Sequence, residues 1–163
     1  TLDRIQKGQK PGDMQSTLRM AKNAGLEPHV TCMVGYPWET LQDAKRTISF
    51  TRDLFKKGLI DTLQATIVIP YPGTELFRQA DKEGWLTTKD WDSYDMRRPI
   101  MRVPYSEEEL LALTRGIYHS CLTPKFVARK VLAVRNQDDL KYLFRGARFA
   151  LGHLKDFASS KGR

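Results

Sequence analysis

The apolar positions change period several times along the chain. Residues 14–24, MQSTLRMAKNA, and 41–57, LQDAKRTISFTRDLFKK, carry apolar side chains at helical spacing. HVTCMVG (29–35) and TLQATIVI (62–69) are short, β-branched and apolar, and predict two strands. A third helical stretch, ELFRQADKE, follows at 75–83. Start and stop signals bracket these elements. Asp13, Thr40 and Thr74 stand where a side chain can cap a helix, and Asp43 occupies the reciprocal position to Thr40. Gly25, Gly58 and Gly84 stand at the ends. Helix, strand, helix, strand, helix predicts parallel βα units, an α/β fold with helices covering the sheet.

The pattern then changes. Residues 85–105, WLTTKDWDSYDMRRPIMRVPY, show no clear period and mix aromatic with charged side chains. Flexible linkers are seldom so aromatic, so this stretch is expected to wrap the body as an ordered segment. SEEELLALTRGIYHSCL opens with a capping box between Ser106 and Glu109, and helical stretches near 124–134 and 138–157 follow.

Side-chain alternation gives each strand two unlike faces. Val30, Cys32 and Val34, with Ala65, Ile67 and Ile69, make an aliphatic side suited to packing helices. His29, Thr31, Met33 and Gly35, with Gln64, Thr66 and Val68, make a side carrying polar groups, suited to a cavity. Ligands of parallel barrels meet the C-terminal ends of strands. Both strands end there in a similar corner, MVGYPWET and VIPYPGTEL. Gly35 and Gly73 allow tight backbone geometry and room for a ligand, Pro37, Pro70 and Pro72 stiffen the turns, and Thr40 and Thr74 begin the next helices. Any tight βα loop favours the same residues, and neither corner contains GxxxxGK[ST] or GxGxxG.

Composition refines this picture without redirecting it. The 163 residues are 40% hydrophobic and 28% charged, enough for about one globular domain, and no apolar run could cross a bilayer. Cys32 and Cys121 show no CxxC spacing, and His29, His119 and His153 no metal-ligand spacing. Reduced thiols in a cytoplasmic protein are expected. The net charge is +8, and residues 122–163 hold ten Lys/Arg against three Asp. The remaining 17 basic and 16 acidic residues leave the body nearly neutral. The opening TLDRIQKG reads as the middle of a longer protein.

Residues 1–50, through the pieces IQKG, AKNAGL and MVGYPWET, resemble the second half of the barrel of radical S-adenosylmethionine enzymes, as do TISFTRDL and PYPGTELF further on. The similarity is greatest to the subfamily with an N-terminal cobalamin-binding domain, whose C-terminal helical region EEELLALTRGIYHSCLTPKFVARKVLAVRNQDDLKYLFRGARFAL also resembles. The resemblance implies an α/β fragment of a parallel partial TIM-type barrel, two main strands with flanking helices, followed by an α-helical extension. Residues 1–84 would be the C-terminal part of the barrel, 85–105 the wrapping loop and 106–163 the basic helical extension. It also implies an iron-sulfur enzyme that uses S-adenosylmethionine, a [4Fe–4S] cluster and cobalamin for methyl transfer or carbon-skeleton chemistry. The family's CxxxCxxC cluster motif is absent. The chain would therefore begin after the fourth strand, lack the other half-barrel and the cobalamin domain, bind no cofactor and be inactive alone. Trp38 replaces the family's usual glycine, and an indole there is expected to narrow the corner or lean over the barrel mouth.

By the same resemblance, Met33, Val34 and Gly35 would wall the adenine of S-adenosylmethionine, and Ile69, Pro70 and Tyr71 would help close that pocket. His29, Thr31, Gln64 and Thr66 would line the substrate cavity. The missing half-barrel and cobalamin domain are the expected partners. Self-association through the open edge of HVTCMV is a further expectation, unless residues 1–12 fold back over it.

In the tail, Leu140, Leu143, Phe144, Ala147, Leu151 and Leu154 recur at helical spacing, with Lys141, Arg145, Arg148 and Lys155 on other faces. Such a helix packs on its own domain, docks on an absent one or lies on an anionic membrane surface; nucleic acid is the weakest of these readings. The alternative to the enzyme fragment is a non-catalytic basic α/β module that binds anionic partners through this tail. Localisation is expected to be cytoplasmic, or peripheral to a membrane.

Overall fold

A computed structural model describes the backbone of residues 1–121, 124–132 and 134–159, with side chains over 1–117 and most of 124–148. The expectations on Cys121, His119, His153, Leu151, Leu154 and Lys155 fall on side chains outside the described ones. The chain forms two compact units, Thr1–His119 and Ser120–Arg163.

The first unit is built as α1 (Pro11–Asn23), β1 (His29–Val34), α2 (Leu41–Lys56), β2 (Thr62–Ile67) and α3 (Glu75–Lys82), with α4 (Glu107–Cys121) closing it. β1 and β2 are parallel and in direct register, from His29 opposite Thr62 to Val34 opposite Ile67. The aliphatic face is buried at Cys32, Val34, Ala65 and Ile67. α2 packs against β1 and buries Ala44, Ile48, Thr51, Leu54 and Phe55, the stripe that a helix lying on a sheet presents.

Capping follows the sequence at α2, α3 and α4. Thr40 accepts from the Asp43 N–H while the Asp43 carboxylate accepts from the Thr40 N–H, and Ser106 and Glu109 repeat this exchange. Thr74 accepts from the Phe77 N–H at 3.2 Å. The helix α1 differs from expectation. It starts at Pro11 behind Lys10, which makes no side-chain cap, so Asp13 lies in the first turn instead of capping it. Proline has no N–H to leave unsatisfied and a φ already suited to a first helical position, which sets the earlier start.

Residues 85–105 double back on themselves. Leu86 bridges Met101 in antiparallel fashion, the Arg102 N–H donates to the Trp85 carbonyl at 2.8 Å, and the Thr87 N–H donates to the Ile100 carbonyl at 3.0 Å. A short 3₁₀ turn at Trp91–Ser93, opened by Asp90, was not indicated by the sequence pattern. The second unit contains α5 (Pro124–Leu132) and α6 (Gln137–Ser159).

Among the described residues β1 pairs only with β2. Residues 1–7 form a hydrogen-bonded turn, and Ile5 packs with Trp38, Trp85 and Leu86 on a core cluster of Tyr36, Val68, Ala80 and Met101. The fold-back therefore lands on the first corner and forms no strand along β1.

Candidate functional site

The two strands deliver their C-terminal ends to one side, because they are parallel and in register. The polar face below those ends is open. His29, Thr31, Met33 and Gln64 are exposed and Thr66 is half-buried. His29 Nδ1 lies 2.8 Å from Thr62 Oγ1 across the strands.

At the first corner Gly35 has φ +100°, a region closed in practice to side chains. A Cβ built there would meet Leu110 Cδ2 at 3.2 Å and Ile67 Cγ2 at 3.4 Å. The space that glycine leaves is taken up by Leu110 of α4 and by Ile67, as in a tight βα loop, one of the two readings the sequence left open. The Gly35 N–H donates to Glu39 Oε2 at 2.8 Å, and Tyr105 Oη donates to the same oxygen at 3.4 Å. Glu39 is only 1% exposed. Burial pushes its carboxyl above the usual range, opposed by hydrogen bonds from Gly35, Tyr36 and Tyr105. Burial and the neighbouring Glu39 push Tyr105 and Tyr36 up as well.

Trp38 turns into this corner's own core. Its ring stacks on Tyr36 with centroids 5.2 Å apart, meets Trp85 edge-on at 6.1 Å, and carries the Arg4 guanidinium 4.3 Å above it. The indole thus has an aromatic and cationic environment within the chain and packs into the corner, the first of the two expected placements.

The second corner is built differently despite its similar sequence. Gly73 has φ +85° with nothing within 4 Å of a Cβ placed there. The Thr74 hydroxyl donates to the Tyr71 carbonyl at 2.6 Å. Glu75 is exposed and pairs with Arg78 at 2.7 Å, so it has no counterpart to the buried role of Glu39. Tyr71 Oη donates to the Tyr94 carbonyl at 3.3 Å, and Tyr94, Ile69 and Ile100 form a core cluster with Phe77 against it.

Of the residues assigned to an adenine wall, Met33 is 50% exposed and Tyr71 43% exposed at the two strand ends. Val34, Gly35, Ile69 and Pro70 are buried. Their contribution to such a wall is backbone, and part of that is already engaged: the Gly35 N–H by Glu39 and the Val34 carbonyl by the Val68 N–H at 2.9 Å. The residues that the resemblance assigns to a substrate cavity, His29, Thr31, Gln64 and Thr66, lie together on the open face. Sequence reasoning missed Glu39 and Tyr105 as a pair. They stand 66 positions apart, and the only local signal is an acid placed just before a threonine cap, where it has no helical duty. Among the described residues no three His, Cys, Asp or Glu side chains gather as a metal site, and Cys32 is a buried thiol.

No family model matches the chain. It is 33% identical over 132 residues to the uncharacterized methyltransferase PH0819 of Pyrococcus horikoshii. The match covers 80% of this chain and 28% of that protein, so the chain spans well under a third of its relative's length.

Proposed function

We propose that residues 1–84 form one side of a larger parallel β/α barrel of the radical S-adenosylmethionine type, and that the whole enzyme transfers a methyl group. The observation that supports this is the one-sidedness of the sheet. Helices cover the face with Cys32, Val34, Ala65 and Ile67, while the face with Thr31, Met33 and Gln64 is left to solvent. A two-stranded sheet so arranged has the packing of a barrel wall, with its polar side inward. The relative named as a methyltransferase supports the methyl-transfer part of the reading.

The residues present fit the implied cofactors unequally. A [4Fe–4S] cluster needs three thiolates from the loop that binds it, and this chain has two cysteines, one of them buried in the sheet. The cluster does not fit this chain, and no residue here is assigned to cobalamin. S-adenosylmethionine fits in part, and when bound it supplies the activated methyl group. The Met33 thioether and the Tyr71 ring offer apolar surface at neighbouring strand ends, against which a flat adenine can stack. At the first corner the Gly35 N–H and the Tyr105 hydroxyl are both turned to Glu39, so this side of the pocket would position the cofactor and exclude water, and would transfer no protons.

The test is the protein extended upstream to its natural start. It should carry CxxxCxxC within about half a barrel's length, and form S-adenosylhomocysteine anaerobically from S-adenosylmethionine. Met33→Asp should raise the KM for S-adenosylmethionine about tenfold or more, because a carboxylate would be desolvated against the base. An upstream sequence without the motif, or a Met33→Asp enzyme with an unchanged KM, overturns the reading.

A further inference from the structure

We propose that the second unit is a docking surface for anionic lipid headgroups. Residues 120–163 hold ten Lys/Arg and three Asp, a net charge of +7 within the chain's +8. Two of the three acids serve the start of α6. Asp139 accepts from the Arg135 N–H at 2.9 Å, and Asp138 pairs with Lys141 at 3.1 Å. Neither dilutes the charge farther along the helix.

Apolar surface accompanies that charge. Val127 is 51% exposed, Val131 53% and Leu132 84%; on α6, Leu140 is 44% and Phe144 69% exposed. At about 100° per residue, Pro124, Val127, Ala128, Val131 and Leu132 occupy one continuous arc of about 140° on α5. The same five residues line one apolar surface depression, and α5 contains no acid. Lys130 borders the arc on one side. On α6 the apolar positions Leu140, Leu143, Phe144 and Ala147 lie beside Lys141, Arg145 and Arg148.

An exposed apolar arc with basic margins is the chemistry of a helix lying in the interface of an anionic bilayer: apolar side chains enter the acyl boundary while lysine and arginine meet headgroup phosphates. Nucleic acid would use the charge and leave the apolar arc without a partner. A second protein copy would bring like charge against like. No helix among the described residues is long and apolar enough to cross a membrane, so contact is peripheral.

The experiment is co-sedimentation of the 163-residue chain with phosphatidylcholine vesicles, alone or with one third phosphatidylglycerol. Binding is expected only to the anionic vesicles and should weaken at high salt. Leu132→Asp with Phe144→Asp, at the most exposed apolar positions described on α5 and α6, should abolish it while circular dichroism stays unchanged. Arg145→Gln with Arg148→Gln should weaken it about 25-fold, about fivefold for each charge near the surface. Equal binding to neutral vesicles, no binding, or full binding by the Leu132/Phe144 variant overturns the proposal. So does preferential binding of single-stranded RNA that the apolar variant retains, or self-association that the apolar variant loses.

Discussion

Removing the Glu39 carboxylate should loosen the first corner. In Glu39→Ala the Gly35 N–H loses its acceptor at 2.8 Å in a site that is 1% exposed. A hydrogen bond to a charged group is worth about 1.5–3 kcal/mol net, and a buried donor left unsatisfied costs about 1–3 kcal/mol. These overlap, and relief of the buried charge offsets part of them, so the expected loss is about 2–3 kcal/mol. The Tyr105 contact at 3.4 Å is long and adds little. Glu39→Gln keeps an acceptor for Gly35 without the charge and should stay within about 1 kcal/mol of the parent at neutral pH. The two variants also separate in pH dependence. Burial raises the folded carboxyl above its unfolded value, so between the two pKa values the folded protein holds a proton that the unfolded chain has released. That contribution is fully present below the unfolded pKa and is lost as pH rises through the folded one. Asp43, held low by the Thr40 hydroxyl, and Glu109, held low by the Ser106 N–H, slope the opposite way. The informative quantity is therefore the parent-minus-Glu39→Gln difference, which should fall with rising pH from about 4 upward. Urea melts followed by the fluorescence of Trp38 and Trp85, which sit on the corner cluster, measure it. A Glu39→Ala cost under about 0.5 kcal/mol, or a flat difference profile, would refute the reasoning.

Gly35→Ala should cost about 2–3 kcal/mol, from left-handed strain plus the 3.2 Å contact with Leu110, and Gly73→Ala only about 1 kcal/mol, since its Cβ meets nothing; equal costs in urea melts would contradict the assignment of that space to α4. Thr40→Ala and Thr74→Ala should each lower stability by about 1 kcal/mol through loss of a helix cap, and thermal melts that do not move would count against both. Anaerobic reconstitution of the 163-residue chain should yield no stoichiometric iron or sulfide, and finding them by elemental analysis would sink the two-cysteine argument. The open edge of β1 should make the chain self-associate with rising concentration in sedimentation, and Thr31→Lys should suppress this; a monomer at every concentration refutes it.

What the sequence made legible is what depends on near neighbours. Among the described residues, period and capping located both strands and all six helices, and alternation separated Cys32 and Val34 from Thr31 and Met33 before any contact was known. The parallel pairing followed from the order of elements, since a strand, helix, strand unit returns in the same direction. The failures concern distance along the chain. Pro11 displaced Asp13 as the start of α1 because two start signals lay two positions apart and local pattern does not rank them. The occupant of the space at Gly35 is Leu110, 75 positions away, and a glycine in a corner has the same sequence signature whether helix or ligand fills the gap. The similarity of the corners misled in the same way. Glu39 precedes its threonine and Glu75 follows its own, and that two-position difference puts one carboxyl inside and the other in water.

That difference also orders the chemistry this unit can offer. At the first corner the acid, the glycine N–H and the tyrosine hydroxyl satisfy one another out of solvent, and Trp38 is held between Tyr36, Trp85 and Arg4. At the second, Thr74 and Tyr71 bond to backbone carbonyls of their own loop and of the wrapping segment. A general acid or base needs a polar atom within reach of the substrate and with capacity left over. Here that capacity lies on the strand face, at His29, Thr31, Gln64 and Thr66, and the strand ends present the uncharged surfaces of Met33 and Tyr71. Rigid apolar corners above an open polar face suit the holding of a reactive cofactor over a substrate. On the function proposed above, the reactivity would come from the cofactor and from residues outside these strands, which is why the Met33→Asp test reads cofactor affinity and leaves the chemical step aside.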